Sequence, residues 1–125
     1  MSSLMLDTHA LLWWLNDEPL ADAAQEAVTD PDNVVMVSVA SIWEIGIKVA
    51  AGRLDLGTPL VPVLRRQPFD IVPVTLAHAE AAATLPRLHG DPFDRMLVAQ
   101  AKATGSALVT RDRELEQYGV DLLRC

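Results

Sequence analysis

The chain has 125 residues, half of them hydrophobic and 22% charged, with a formal net charge of −7. That length supports one folded domain with its own core and is too short for two ordinary ones. The acidic balance argues against a module that holds nucleic acid by phosphate neutralisation alone, but not against an enzyme that gathers carboxylates around a divalent cation. The only cysteine, Cys125, is the last residue, so no intrachain disulfide can form, which suits a reducing cytoplasm. No apolar run approaches the ~20 residues of a membrane span. The opening MSSLMLDTH lacks the basic and apolar regions of a signal peptide. The expectation is a soluble cytoplasmic protein, a single domain over 1–125.

In chain order, SLML (3–6) is a short apolar strand ending at Asp7, and THALLWWLN (8–16) reads as a helix. LADAAQEAVTD (20–30) is Ala-rich and helical, and PDN breaks it. VVMVS (34–38) is a β-branched run of buried-strand type. SVASIWEIGIKVAAG (38–52) follows as a helix with Ser38 as cap and Gly52 as stop. TPLVPVLRRQ (58–67) reads as a short helix interrupted by Pro62, and FDIVPV (69–74) as a strand. TLAHAEAAATL (75–85) is a helix capped by Thr75. PFDRMLVAQAKATG (92–105) is a helix stopped by Gly105, SALVT (106–110) a strand, RELEQYG (113–119) a short helix and VDLLR (120–124) a last strand. Strands alternate with helices, and the strand runs are apolar throughout. That pattern predicts a mostly parallel sheet covered on both faces, a three-layer α/β/α architecture.

Parallel sheets of this kind place ligands outside the carboxyl ends of their strands. Asp7 lies where the first strand ends, and Asp112 two residues past ALVT. Glu44 lies less than two turns into the helix that follows VVMVS, and Asp94 in the first turn of the helix leading into SALVT. Each acid also has a structural reading. Asp7 and Asp112 could cap the helices they precede, and Glu44 could pair with Lys48 at i,i+4. In HGDPFDRML (89–97), Pro92 suits the first helical position, Asp91 the cap before it and Asp94 the third position. The structural reading is weakest for Glu44, whose neighbours Ile42, Trp43, Ile45 and Ile47 are apolar, because an unpaired buried carboxylate is costly. Four acids at one edge would repel without cations, and a carboxylate set without Cys or paired His suits Mg2+ or Mn2+.

MLDTHALLWWL, VSVASIWEIGIKVAAGRL, DPFDRMLVAQA and LVTRD, in that order, resemble the PIN domain family, specifically its small VapC-type toxins of toxin–antitoxin pairs. The resemblance spans most of the chain. It implies a metal-dependent endoribonuclease whose site residues, carried over by position, are Asp7, Glu44, Asp94 and Asp112, with Asp91 kept as a cap. On that reading Asp7 and Asp94 hold the principal Mg2+ or Mn2+, and Glu44 and Asp112 complete the site or bind a second ion through water. The implied partners are an RNA substrate, a small cognate antitoxin and a second copy of the chain.

His9, His78 and His89 show no ligand spacing, and His78 reads as a surface or boundary residue. Trp13 and Trp14 read as core or interface. Thr8 and Thr110 flank site acids and either orient a ligand or cap. Arg95, Arg111 and Lys48 sit beside the acids, where they are either solvated or in contact with RNA phosphates. Two rivals stand beside the nuclease: Asp-based phosphotransfer, which needs a Lys near the last strands where LVTRD has Arg111, and a non-enzymatic acidic module that binds a basic partner.

Overall fold

The computed structural model describes residues 2–125. Five strands, β1 (Ser3–Leu6), β2 (Val34–Ser38), β3 (Asp70–Val72), β4 (Ala107–Thr110) and β5 (Leu122–Arg124), form one sheet in the order β3-β2-β1-β4-β5. Every pairing is parallel, with Met5 opposite Met36 and Leu108, so all the carboxyl ends share one edge. Six α-helices connect them: α1 (Thr8–Leu15), α2 (Asp22–Thr29), α3 (Val39–Ala50), α4 (Leu60–Arg65), α5 (Leu76–Thr84) and α6 (Pro92–Thr104). A 3-10 helix over Arg113–Tyr118 precedes β5.

Side chains alternate across a strand, and that period divides the core. Leu4, Leu6, Val35, Val37 and Val109 face one side with Leu11, Ala24, Val28, Ile45 and Leu64 from α1 to α4. Met5, Met36 and Leu108 face the other with Leu97, Val98 and Ala101 of α6 and Leu115 and Tyr118 of the 3-10 helix. Both faces of the central strands β1, β2 and β4 are covered, while the edge strands β3 and β5 stay partly exposed, with Asp70 and Arg124 at the surface.

Some boundaries differ from the expectation, each for a local reason. The chain does not break at Pro62, which is the third residue of α4. A first-turn N–H has no intrahelical partner, so the proline there costs no bond. The third strand stops at Val72, before Pro73, which has no N–H to give a ladder. The RELEQYG segment winds as a 3-10 helix rather than an α-helix. At the end of α6, Gly105 takes φ 66°, the left-handed conformation that closes a helix.

The strand order has a functional consequence. From β1 the chain builds outward through β2 and β3, then returns to the opposite side of β1 with β4. The connection thus reverses between β1 and β4, where open parallel sheets leave a crevice at their carboxyl edge. Asp7 N–H donates to Val109 O at 3.0 Å and fixes the floor of that crevice.

Candidate active site

Asp7 and Asp112 follow the two strands that bound the crevice, and each does cap the helix after it. Asp7 Oδ1 accepts the Ala10 N–H at 2.7 Å, and Asp112 Oδ1 accepts the Glu114 N–H at 3.0 Å. Capping aims the carboxylates at the sheet edge without exhausting their lone pairs. Asp7 is buried, and desolvation pushes its carboxyl above the ordinary range against opposing hydrogen bonds from Thr110 and Ala10. The Thr110 hydroxyl accepts the Asp112 N–H at 3.0 Å and helps hold the Asp7 carboxyl down against desolvation.

Glu44 is 6% exposed on α3, among apolar neighbours. Its two oxygens have different partners. Oε2 meets Lys48 Nζ at 3.0 Å, the i,i+4 pair, while Oε1 accepts the Thr8 hydroxyl at 2.7 Å. Thr8 Oγ1 also lies 3.1 Å from Ser41 Oγ, so buried hydroxyls tie the start of α1 to α3 beside Asp7.

Asp94 stands in the first turn of α6, while Asp91 is the cap, accepting the Phe93 N–H at 2.9 Å. Among the described residues the polar partner of the Asp94 carboxylate is His89 Nε2, at 3.7 Å. Burial first, then the negative charges of Asp91, Asp7 and Glu44, push its carboxyl up to about 7, with His89 opposing. Asp7, Glu44 and Asp94 therefore share one electrostatic site, and Asp112 joins it through His89, whose Nε2 lies 2.7 Å from Asp112 Oδ2.

His89 is the residue that spacing did not reveal. Its Nδ1 accepts the Asp91 N–H at 3.1 Å, which assigns the proton to Nε2. His89, Asp112 and Glu114 present ligand atoms within 4.8 Å of one another. In this tautomer, however, Nε2 is a donor to Asp112 and has no lone pair for a cation. The signal in the sequence was positional: a histidine two residues before a helix cap can reach the cap's own N–H.

The flanking cations are largely committed. Arg95 donates to the carbonyls of Pro86, Ala82 and Leu85 at 2.9, 3.1 and 2.9 Å and lies 3.3 Å from Tyr118 Oη. It staples the loop between α5 and α6 rather than facing solvent. Arg111 stacks over Trp13, 3.5 Å from the ring centroid, and donates to Cys125 O. Trp14 packs on Phe69 and donates to Gln67. His78 completes the α5 cap, its Nδ1 accepting the Thr75 N–H.

The family model described as PIN domain matches residues 4–121. Ribonuclease VapC22 of Mycobacterium tuberculosis is similar at 32% identity over 123 residues, covering 94% of this chain and 93% of that protein. In fold the chain is similar to a chain of the DNA-bound VapBC2 complex of Rickettsia felis, with TM-score 0.76, 16% identity and 98% of each chain covered. A chain of the DNA-bound VapBC complex of Salmonella typhimurium gives TM-score 0.72 at 16% identity, covering 99% of this chain and 98% of that one. A parallel sheet in the order β3-β2-β1-β4-β5, acids gathered at its reversal point and these likenesses agree: the chain belongs to the PIN domain family and, within it, groups with the VapC proteins.

Proposed function

We propose that the protein is a divalent-cation-dependent endoribonuclease, the toxin of a toxin–antitoxin pair, acting in the cytoplasm. The observation that carries this reading is Asp94. It is a mostly buried carboxyl pressed toward neutrality by Asp91, Asp7 and Glu44, and among the described residues it accepts no hydrogen bond, His89 Nε2 lying 3.7 Å away. A fold keeps such a group at little gain unless a cation neutralises it. The donor set is all oxygen, which fits Mg2+ or Mn2+.

Asp7 and Asp94 would hold the ion, with Glu44 and Asp112 completing the site directly or through water. The chemistry supplied at that position would be activation of a water toward a phosphodiester and an offset to the charge growing on the phosphate. The chain's own residues set the stage. Thr8 and Lys48 hold the two oxygens of Glu44, and the Thr110 hydroxyl accepts the Asp112 N–H.

Phosphotransfer is less well supported, because neither lysine of the chain is free at the carboxyl edge: Lys48 pairs with Glu44 and Lys102 donates to Tyr118 O. The acidic crevice suits a basic segment of an antitoxin. Val39, Trp43 and Ile47, one turn apart on α3 and 41%, 66% and 38% exposed, form an apolar stripe that suits a homodimer contact. The test is cleavage of single-stranded RNA by the purified protein: activity is expected with Mg2+ or Mn2+ and not in EDTA. Undiminished cleavage in excess chelator overturns the metal mechanism, and no cleavage with either ion overturns the nuclease reading.

A further inference from the structure

We infer that His89 is a positioning residue of the acidic site, an Nε2 donor that sets the direction of the Asp112 carboxylate. The inference rests on the nuclease reading and adds to the four acids a residue of a different kind.

Two hydrogen bonds hold the imidazole, and a third anchors the backbone that carries it. The His89 backbone N–H donates to Tyr118 Oη at 2.9 Å, the Asp91 N–H donates to Nδ1 at 3.1 Å, and Nε2 donates to Asp112 Oδ2 at 2.7 Å. Tyr118 is itself buried and lies beside the Arg95 guanidinium, which is held by three carbonyls of the α5–α6 connection. The ring therefore has little freedom to turn, and its tautomer is set by a backbone N–H that cannot change role.

The bond from Nε2 also constrains Asp112. Its Oδ1 is taken by the Glu114 N–H and its Oδ2 by the imidazole, from opposite flanks. An ionised carboxylate offers about four lone-pair sites, so two remain, and both donors constrain where they point. The same N–H lies 3.7 Å from Asp94 Oδ2, so a donor dipole stands between the two acids of the crevice that would otherwise face each other unscreened. An imidazole that donates here is not a ligand. It acts through the carboxylate, as outer partners of metal-binding acids do.

A purely architectural role for His89 would use its other bonds, those that close the loop before α6. Two substitutions separate the roles. Asn places an acceptor oxygen near the position of Nδ1, so His89→Asn keeps the bond from Asp91 N–H and loses the one to Asp112. Gln places an N–H near the position of Nε2, so His89→Gln does the reverse.

The experiment uses the full chain, with Mn2+ alone as the probe, and measures Mn2+ affinity by calorimetry, metal-free melting and RNA cleavage. The expected result is that His89→Asn melts near wild type but binds Mn2+ about 10- to 100-fold more weakly, with kcat falling and KM for RNA little changed. His89→Gln is expected to restore most of both. In the metal-free wild type, imidazole 15N shifts are expected to show the proton on Nε2. Wild-type Mn2+ affinity in His89→Asn, an equal loss in both variants, or a proton found on Nδ1 overturns the role of His89 and leaves the nuclease reading standing. A wild type that neither binds Mn2+ nor cleaves overturns that reading, and this inference with it.

Discussion

Asp91 and Asp94, three residues apart at the start of α6, do opposite work, and the first acts on the second. Asp91 caps Phe93 N–H, while its charge is the largest influence after burial in raising Asp94 to about 7. Asparagine caps about as well as aspartate. Asp91→Asn should therefore fold and cleave RNA like wild type, with a small loss of dipole complementarity. Removing the neighbouring negative charge also makes Asp94 easier to ionise. The pH at which Mn2+ binding reaches half its maximum should thus move to lower pH, as titration calorimetry at several pH values would show. An unmoved midpoint would separate the two acids electrostatically, and an inactive variant would reassign Asp91 from cap to site.

The pH dependence of metal-free stability follows from Asp94, with Asp7 shifted in the same direction. A carboxyl whose folded pKa is raised favours the fold while protonated. Its contribution is complete below the ordinary value of 3.8 and is lost as pH rises to about 7. Wild type in EDTA should accordingly lose melting temperature between pH 4 and 7.5. Asp94→Asn should lose less, melting at or above wild type at the upper end and close to it at the lower. With Mn2+ the order should reverse, since only wild type gains stability from the bound ion. A wild type in EDTA that becomes more stable over this range would contradict the raised carboxyls.

The alternation of apolar strands and helices was enough to place the elements, because burial on both faces keeps the central strand runs apolar, while the exposed edge strand β3 is the one whose end was misplaced. The carboxyl-edge rule was enough to place Asp7 and Asp112 at the ends of neighbouring strands. For Glu44 the sequence posed a choice between a lysine pair and a buried carboxylate, and the fold shows the lysine pair on a largely buried side chain whose other oxygen accepts Thr8. What stayed hidden were long-range partners. Thr8 meets Ser41 across 33 residues and His89 meets Asp112 across 23, separations that no local period encodes. Arg95 misled for the same reason: its sequence neighbours are acids, but its partners are carbonyls 9 to 13 residues earlier.

Glu44→Gln tests whether that glutamate is more than a pair for Lys48. Glutamine keeps an oxygen for the Thr8 hydroxyl and gives up the ion pair, which is partly solvated on the lysine side at 28% exposure. The stability change should stay within about 1 kcal/mol, softened by relief of repulsion with Asp94. Cleavage and Mn2+ affinity should fall together. A stable, fully active Gln variant would reduce Glu44 to a structural residue.

Arg95→Ala distinguishes a staple from a phosphate contact. If the guanidinium met RNA, its removal would weaken RNA binding at every sequence and lower the salt slope of binding by about 1. The geometry predicts the other outcome. Three carbonyls and Tyr118 Oη lose a charged donor, and hydrogen bonds to charged groups are worth roughly 1.5–3 kcal/mol each. Arg95→Ala should therefore lower the melting temperature substantially. The loop it held also carries His89, so the Mn2+ affinity of the folded fraction should fall while the salt slope of RNA binding is unchanged. Arg95→Lys should rescue little, because a single ammonium cannot span carbonyls that the planar fork reaches together. A variant with wild-type melting and a reduced salt slope would return Arg95 to the RNA-binding surface.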